Sequence, residues 1–375
     1  MVIDDLLKLF DPFLFNLLKL KKTNYQGLVS GKIGLALSCS YFYDLTKKDF
    51  YHECLHDLLT ESIESCKHNC TFGYGLAGVA WMVELILHKK DIFQNADEWL
   101  EDVNKILKQN LYSYLADNNF DLFSGGNGII FYFLTMKNHK KNEEVINDYI
   151  RYLSERINKG QWASDYSNTG KLDVINLGVP HGLTGILLIL LLINENTCAD
   201  VNCLIEKVAD KIFSYCKTDS FYHFPSSIPE NKGSKSFIGW CYGDLMTGYA
   251  FLKMSIKTNI SKYRDLSLSI LIDSTKRTDC HSHVLPLCHG LSANALIYKS
   301  VFQITGKEIF IEASKKWESL AIASFQAKSE EYFKEKSHID FFENPSLFYG
   351  SPGFYIALLT LENMIDDNWS KCLLL

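Results

Sequence analysis

The sequence predicts an all-α protein, and within that class an α/α toroid of seven inner and seven outer helices. Three observations carry this expectation. A short pattern built around glycine recurs seven times, at intervals of 44 to 61 residues, enough for two helices of roughly 12–20 residues with their loops. Each copy leads into an apolar run with few charges on any side, as expected of a helix buried all round. Between the runs, apolar residues recur at helical spacing among charges, which marks an outer helix with one wet face.

Taken in order, the stretch 6–20 is apolar but carries Lys8, Asp11, Asn16 and Lys19, and reads as a capping helix on the core rather than a membrane-surface helix. The seven blocks follow as SGKIGLAL from Ser30, YGLAGVAW from Tyr74, SGGNGIIF from Ser124, HGLTGILL from His181, YGDLMTGYAFL from Tyr242, HGLSANALIY from His289 and YGSPGFYIALL from Tyr349. Their first glycines are Gly31, Gly75, Gly125, Gly182, Gly243, Gly290 and Gly350. The first Gly permits a positive φ or a close backbone approach, and the second lets neighbouring helices pack tightly. In the sixth block Ala293 replaces the second Gly; in the fifth Met246 stands there, with Gly248 beyond. Runs 129–134 and 186–193 are the clearest buried helices. Segments 96–114, 142–157 and 201–215 are amphipathic, the first through Leu100, Val103, Ile106, Leu107 and Leu111. Segment 218–239, with Pro225, Pro229 and Gly233, reads as a surface loop. Its aromatic group Phe221, Tyr222, His223 and Phe224 either recognises a peptide or packs on an outer helix. An open solenoid would need capped ends, whereas a closed ring needs none, and the very apolar inner runs favour the ring. No shift in composition marks a boundary, so one domain is expected over residues 1–375.

Composition excludes several classes. Apolar types make up 47% and charged types 22%, with seven Pro in 375 residues, which disfavours Pro-rich linkers and collagen-like segments. A net charge of −6 and a pI near 6.0 argue against nucleic-acid binding, which needs a concentrated basic face. Eleven Cys is an odd number at irregular spacing in a chain too long to need disulfide staples. Asp4 and Asp5 stand where a signal peptide would be basic, so reduced thiols and a cytoplasmic location are expected. The longest apolar run, 186–193, is far below the ~20 residues of a membrane span.

If the seven blocks are equivalent, the residues just before each first Gly lie at one end of the ring. His181, Cys241, Cys288 and His289 then meet around one rim, although they are distant in sequence. Zn²⁺ takes Cys and His ligands, and a catalytic site uses three of them with a fourth position open. From the residues alone a satisfied core reading remains open, because free Cys often serves as a small buried hydrophobe. Two rival clusters, Cys66, His68 and Cys70, and Cys280, His281 and His283, are attached to no repeat landmark.

GWCYGD from Gly239, LCHGLS from Leu287, NLGVPHGLTG from Asn176 and DLFSGGNG from Asp121 resemble the lanthionine synthetase C (LanC) cyclases. The resemblance covers nearly the whole chain, since all seven blocks fall in family order. It implies an α/α toroid and a zinc ion held by Cys241, Cys288 and His289, with His181 and Asp121 as the catalytic pair. It implies the addition of peptide Cys thiols to dehydroalanine or dehydrobutyrine, giving thioether rings. The implied partners are a dehydrated precursor peptide, a separate dehydratase and an exporter. The family often carries an Arg a few residues before WCYG; here Lys235, Ser236, Phe237, Ile238 and Gly239 occupy that stretch.

On that resemblance the thiolate is the nucleophile, since a free thiol of pKa about 8.5 is mostly protonated at neutral pH. The resulting enolate needs a proton, and a His is the natural donor; His181 is assigned that role, with Asp121 orienting it. Asp121 as a helix cap and His181 as a bonded core histidine remain the plainer readings. Tyr74, Tyr242 and Tyr349 read as packing residues on the same rim. Two other functions stay open: a LanC-like protein that activates another thiol such as glutathione, and a non-catalytic zinc-containing peptide-binding scaffold. A glycosidase would need two opposed acids at the mouth, where only Asp121 and Asp244 are candidates.

Overall fold

The computed structural model describes residues 3–20, 26–66, 69–87, 95–136, 142–162, 174–217, 222–230, 238–258, 260–278 and 284–375. Its inner helices are α2 (Lys32–Thr46), α4 (Leu76–Leu87), α6 (Gly126–Thr135), α8 (Leu183–Asn196), α10 (Asp244–Lys257), α12 (Leu291–Thr305) and α15 (Ser351–Leu361). Each begins directly after the first glycine of a block. They bury almost their whole surface: in α8 every residue from Leu183 to Leu191 is buried. The outer helices are α1 (Ile3–Leu20), α3 (Asp49–Ser65), α5 (Ala96–Ala116), α7 (Glu143–Asn158), α9 (Asn202–Phe213), α11 (Arg264–Thr275) and α13 (Glu308–Glu335). These bury one stripe. In α5 it is Leu100, Val103, Leu107, Leu111 and Leu115, the three- and four-residue spacing of a single helical face. A short helix α14 (Ile339–Phe342) and a terminal 3₁₀ turn (Asn368–Leu373) complete the helical elements described. Strands β1 (Ile175–Asn176) and β2 (Ser227–Ile228) form one antiparallel pair, Ile175 opposite Ile228.

The ring is closed. Inner helices touch in the cycle α2, α4, α6, α8, α10, α12, α15 and back to α2. Most outer helices pack on the inner helix that precedes them: α3 on α2, α5 on α4, α9 on α8, α11 on α10 and α13 on α12. Tyr149 of α7 donates to Asn127 Oδ1 of α6 at 2.7 Å. The N-terminal helix, expected as a cap, is the seventh member of the outer ring and covers α15. Phe10 stacks on Tyr355 at 4.8 Å and meets Phe325 edge-on at 5.2 Å.

A second closure runs through the backbone just ahead of the inner helices. Val29 N–H donates to Gly73 C=O, Gly73 to Phe123, Leu122 to Pro180, Val179 to Cys241, Cys241 to Cys288, Cys288 to Phe348, and Phe348 back to Val29, all at 2.8 to 3.3 Å. All seven turns are thereby joined in one belt. Two steps shift by one residue for evident reasons. Pro180 has no N–H, so Val179 donates; the Phe123 N–H is taken by Asp121 Oδ1 at 2.7 Å, so Leu122 donates.

The second glycine of a block serves both close packing and its own turn: a Cβ on Gly34 would lie 2.7 Å from Leu347 and one on Gly128 2.4 Å from Phe72 Cβ, both in neighbouring turns. A Cβ on Gly185 would lie 1.9 Å from the carbonyl oxygen of Val179, and one on Gly353 1.9 Å from that of Leu347. At these two positions the turn's own carbonyl occupies the space a side chain would need. Gly243 requires its freedom differently, with φ at +96°, a region costly for residues with a Cβ.

Segment 218–239 keeps the expected surface character at Pro229 and Glu230, which are exposed, but departs from it at His223, Phe224 and Pro225, which are buried. Phe224 is buried and packs on Phe251 at 6.0 Å between ring centres. Tyr222 carries the Arg277 guanidinium over its ring at 4.3 Å. Both residues make packing contacts, but Phe224 packs on the inner helix α10 rather than on an outer helix; Phe221 lies outside the described residues. All described cysteines are free thiols, and no described helix is long and apolar enough to cross a membrane.

Candidate metal centre

The belt explains why distant cysteines meet. Cys241 and Cys288 are successive links, with Cys241 N–H donating to Cys288 C=O at 3.0 Å, so turns five and six place their side chains beside each other. His289 is the next residue of turn six. The ligand atoms of Cys241, Cys288 and His289 all lie within 4.8 Å of one another, with both thiols buried. No other such group of three occurs among the described residues. Cys66 and Cys70 of the first rival cluster are buried core residues, while His68, Cys280, His281 and His283 lie outside the described residues.

The two thiols are hydrogen-bonded to each other. The Cys241 S–H hydrogen bond, assisted by His289 and by the charge of His181, holds Cys288 below the ordinary thiol range despite burial. The same bond and burial push Cys241 well above that range. The thiolate raises His289 in turn, against the effect of burial. Tyr349 is hydrogen-bonded to Cys288, and burial followed by the thiolate charge pushes its phenol up. Tyr74 is also raised, first by burial and then by Asp121 and Cys288. Both phenols thus belong to the polar surroundings of the cluster rather than to packing alone. Their position before a block glycine was the only sequence signal for this. Tyr242 instead accepts from Asn176 Nδ2 at 3.1 Å.

His181 stands on the same rim. Its Nδ1 lies 2.5 Å from Asp121 Oδ2. Asp121 is fully buried, and its Oδ1 accepts the N–H groups of Phe123 and Ser124 at 2.7 and 2.8 Å. One oxygen organises the turn before α6 and the other holds the imidazole, so the capping role and the His-orienting role coexist. Phe123, Trp240 and Phe348 form an aromatic floor, with centroids 4.9 to 5.6 Å apart. His181 meets Phe123 edge-on at 6.2 Å. Trp240 is pinned by its Nε1–H to Leu373 C=O at 2.8 Å, which fixes the residue next to Cys241. All seven inner helices start at this rim, and their positive dipole ends favour negative charge there.

Asp244, the acid after WCYG, is occupied structurally. It accepts from His223 N–H at 3.2 Å, Phe224 N–H at 2.8 Å and Arg277 Nη1 at 2.6 Å. Arg277 and Asp244 are a buried ion pair, absent from the sequence expectations because Arg277 belongs to no motif. It does not supply two opposed acids at the mouth. Lys235, Ser236 and Phe237 lie outside the described residues.

A family model described as "Lanthionine synthetase C-like protein" matches residues 23–374. Among solved structures, the chain is similar to one titled "Nisin cyclase", with a TM-score of 0.76 at 17% identity, covering 99% of this chain and 96% of that one. At that identity the likeness shows the fold, a helical toroid.

Proposed function

Because the chain belongs to the lanthionine synthetase C-like family, we propose that it is a zinc-dependent cyclase that adds peptide Cys thiols to dehydroalanine or dehydrobutyrine, closing thioether rings. The carrying observation is the Asp121–His181 pair, 2.5 Å apart, on the rim that also holds Cys241, Cys288 and His289.

The donor set fits zinc. Bonds of about 2.3 Å to sulfur and 2.0–2.1 Å to nitrogen give tetrahedral edges of roughly 3.5–3.8 Å, and ligand atoms within 4.8 Å reach that with a small contraction. Binding zinc requires both Cys as thiolates and His289 neutral, so it would release protons from this set. Cys241, Cys288 and His289 would hold the ion, with the fourth position for substrate. When bound, zinc lowers the pKa of a peptide Cys thiol, so that it attacks as the thiolate.

The chain's own residues do the rest. Asp121 Oδ2 accepts from His181 Nδ1, which places the exchangeable proton of His181 on Nε2. His181 delivers that proton to the α-carbon after the carbon–sulfur bond has formed, and the proton lost by the thiol restores the balance. The inner-helix N-termini stabilise the negative charge that passes from sulfur to enolate. The substrate would be a precursor peptide dehydrated by a separate dehydratase, with an exporter for the product. Thiol ligands suit the reducing cytoplasm, and one domain spanning the chain carries the reaction.

The test uses a dehydrated peptide with one Cys and follows the loss of its alkylatable thiol at unchanged mass. Wild-type protein with about one zinc per chain should consume the thiol. His181→Asn should keep its zinc and fold yet react roughly 10²–10⁴-fold more slowly; an unchanged rate overturns the role of His181. Cys241→Ala and Cys288→Ala should lose the metal, and full occupancy in either overturns the ligand set. Preferential addition of glutathione to a Cys-free dehydrated peptide would favour the alternative thiol.

A further inference from the structure

A cleft of about 830 Å³ opens between turn six and the C-terminal end of α13 with α14. His289, one of the three candidate ligands, and Tyr349 line it, and Tyr349 is hydrogen-bonded to Cys288, so one wall of the cleft adjoins the candidate metal centre. Its volume is in the range of roughly 300–1,000 Å³ that holds small ligands, which admits a few residues of extended peptide and no folded partner. The lining is unevenly charged: Lys328 and Lys336 face one acid, Asp340. Glu331, just outside the lining, is bonded to His338 Nε2 at 2.5 Å and also interacts with Lys328, leaving Lys336 the lysine least offset by acids. Lys336 lies 4.8 Å over the Tyr332 ring, a contact that holds the ammonium in place and leaves its charge. Ile339, on the same wall, is 44% exposed, an apolar side chain at the water edge of a charged cleft.

We infer that this cleft binds the stretch of substrate peptide flanking the reacting Cys, and that Lys328 and Lys336 select a carboxylate in it. The inference rests on the cyclase reading, which makes a Cys-containing peptide the occupant of the metal end. A chain entering along this wall brings a flanking residue past both ammonium groups. A carboxylate there comes from an acidic side chain or from the peptide's C-terminus; either would meet more positive than negative charge.

Binding is measured without turnover, by fluorescence anisotropy of zinc-loaded protein with labelled peptides. Each peptide contains one Cys and Ala in place of any dehydrated residue. One series carries Glu or Gln at each of the six positions on either side of Cys, and a second ends in a free carboxylate or an amide. The expected result is a roughly three- to tenfold tighter Kd for the carboxylate form at one position or at the C-terminus, weakening with salt. Lys328→Gln with Lys336→Gln should abolish the preference, and Lys328→Glu with Lys336→Glu should reverse it, with zinc content and melting unchanged. If either pair lowers the melting temperature, the corresponding single variants are used. Binding with no preference, or a preference that survives both double variants, overturns the inference and leaves the cyclase reading intact. Binding of none of the peptides overturns it too, and thiol consumption by the wild-type protein then reports separately on that reading.

Discussion

Asp121 does two things with two oxygens, and substitution separates them. Asn retains an acceptor for the Phe123 and Ser124 N–H groups but turns an amide N–H toward His181 Nδ1, which forces the other tautomer. Asp121→Asn should therefore melt close to wild type while cyclisation falls by a factor on the order of 10²–10⁴. Asp121→Ala should lose both, with about 1–3 kcal/mol of stability lost from the unpaired turn. Equal stability of the two variants, read by denaturant titration, would remove the turn from the account. A second carboxyl lies far from the chemistry. Glu318 is raised from 4.5 to about 7 by burial and then by Glu362. Its folded value exceeds its unfolded one, so between these values the native state binds more protons, and stability declines as pH rises from about 4.5 to about 7. Discounted for its partial exposure, the decline is of the order of 1 kcal/mol; Glu318→Gln should flatten that part of the stability–pH curve. At this scale the candidate ligands and His181 were legible because each is tied to a block glycine, whereas Asp121 entered only through the family resemblance. Arg277 was not, since a buried charge is located only by its partner, and that partner, Asp244, lies 33 residues away.

Among elements, the inner helices were the easiest to read, because burial on all sides leaves an apolar run with no competing pattern. The N-terminal helix was harder. Its sequence shows a greasy face but not what that face covers, and only the assembled ring reveals that α15 lacks an outer neighbour without it. Phe10 is fully buried among Tyr355, Phe325 and Phe354. Phe10→Ala should cost about 3–5 kcal/mol, visible as a lower denaturant midpoint, whereas a loosely attached cap would tolerate it with little change. The aromatic cluster at 222–224 left two readings open. A loop between helices gives no periodicity to mark an inward residue, so Phe224 could be placed only by the Asp244 carboxylate that accepts its N–H.

For the molecule as a whole, sequence periodicity established seven turns and favoured closure, but the main-chain belt left no trace, because backbone groups are the same whichever side chains they carry. Pro180 is the nearest thing to a signature, a link with no donor that the preceding residue supplies. A belt whose last link, Phe348, returns to its first, Val29, has no beginning in space, and the ring itself does not dictate which turn comes first along the chain. Closure also joins residues more than 300 positions apart, so the final seam forms only when both ends are present, a non-local contact of the kind that slows folding. It follows that the order can be rotated. Joining the present termini by a Gly/Ser linker and reopening the chain between Gly306 and Lys307, an exposed turn where Gly306 has nothing near its Cβ position, should give a permuted protein with the same helical content and one cooperative melting transition. A permutant that melts in two steps would mean that the rotated order fails to restore a single ring.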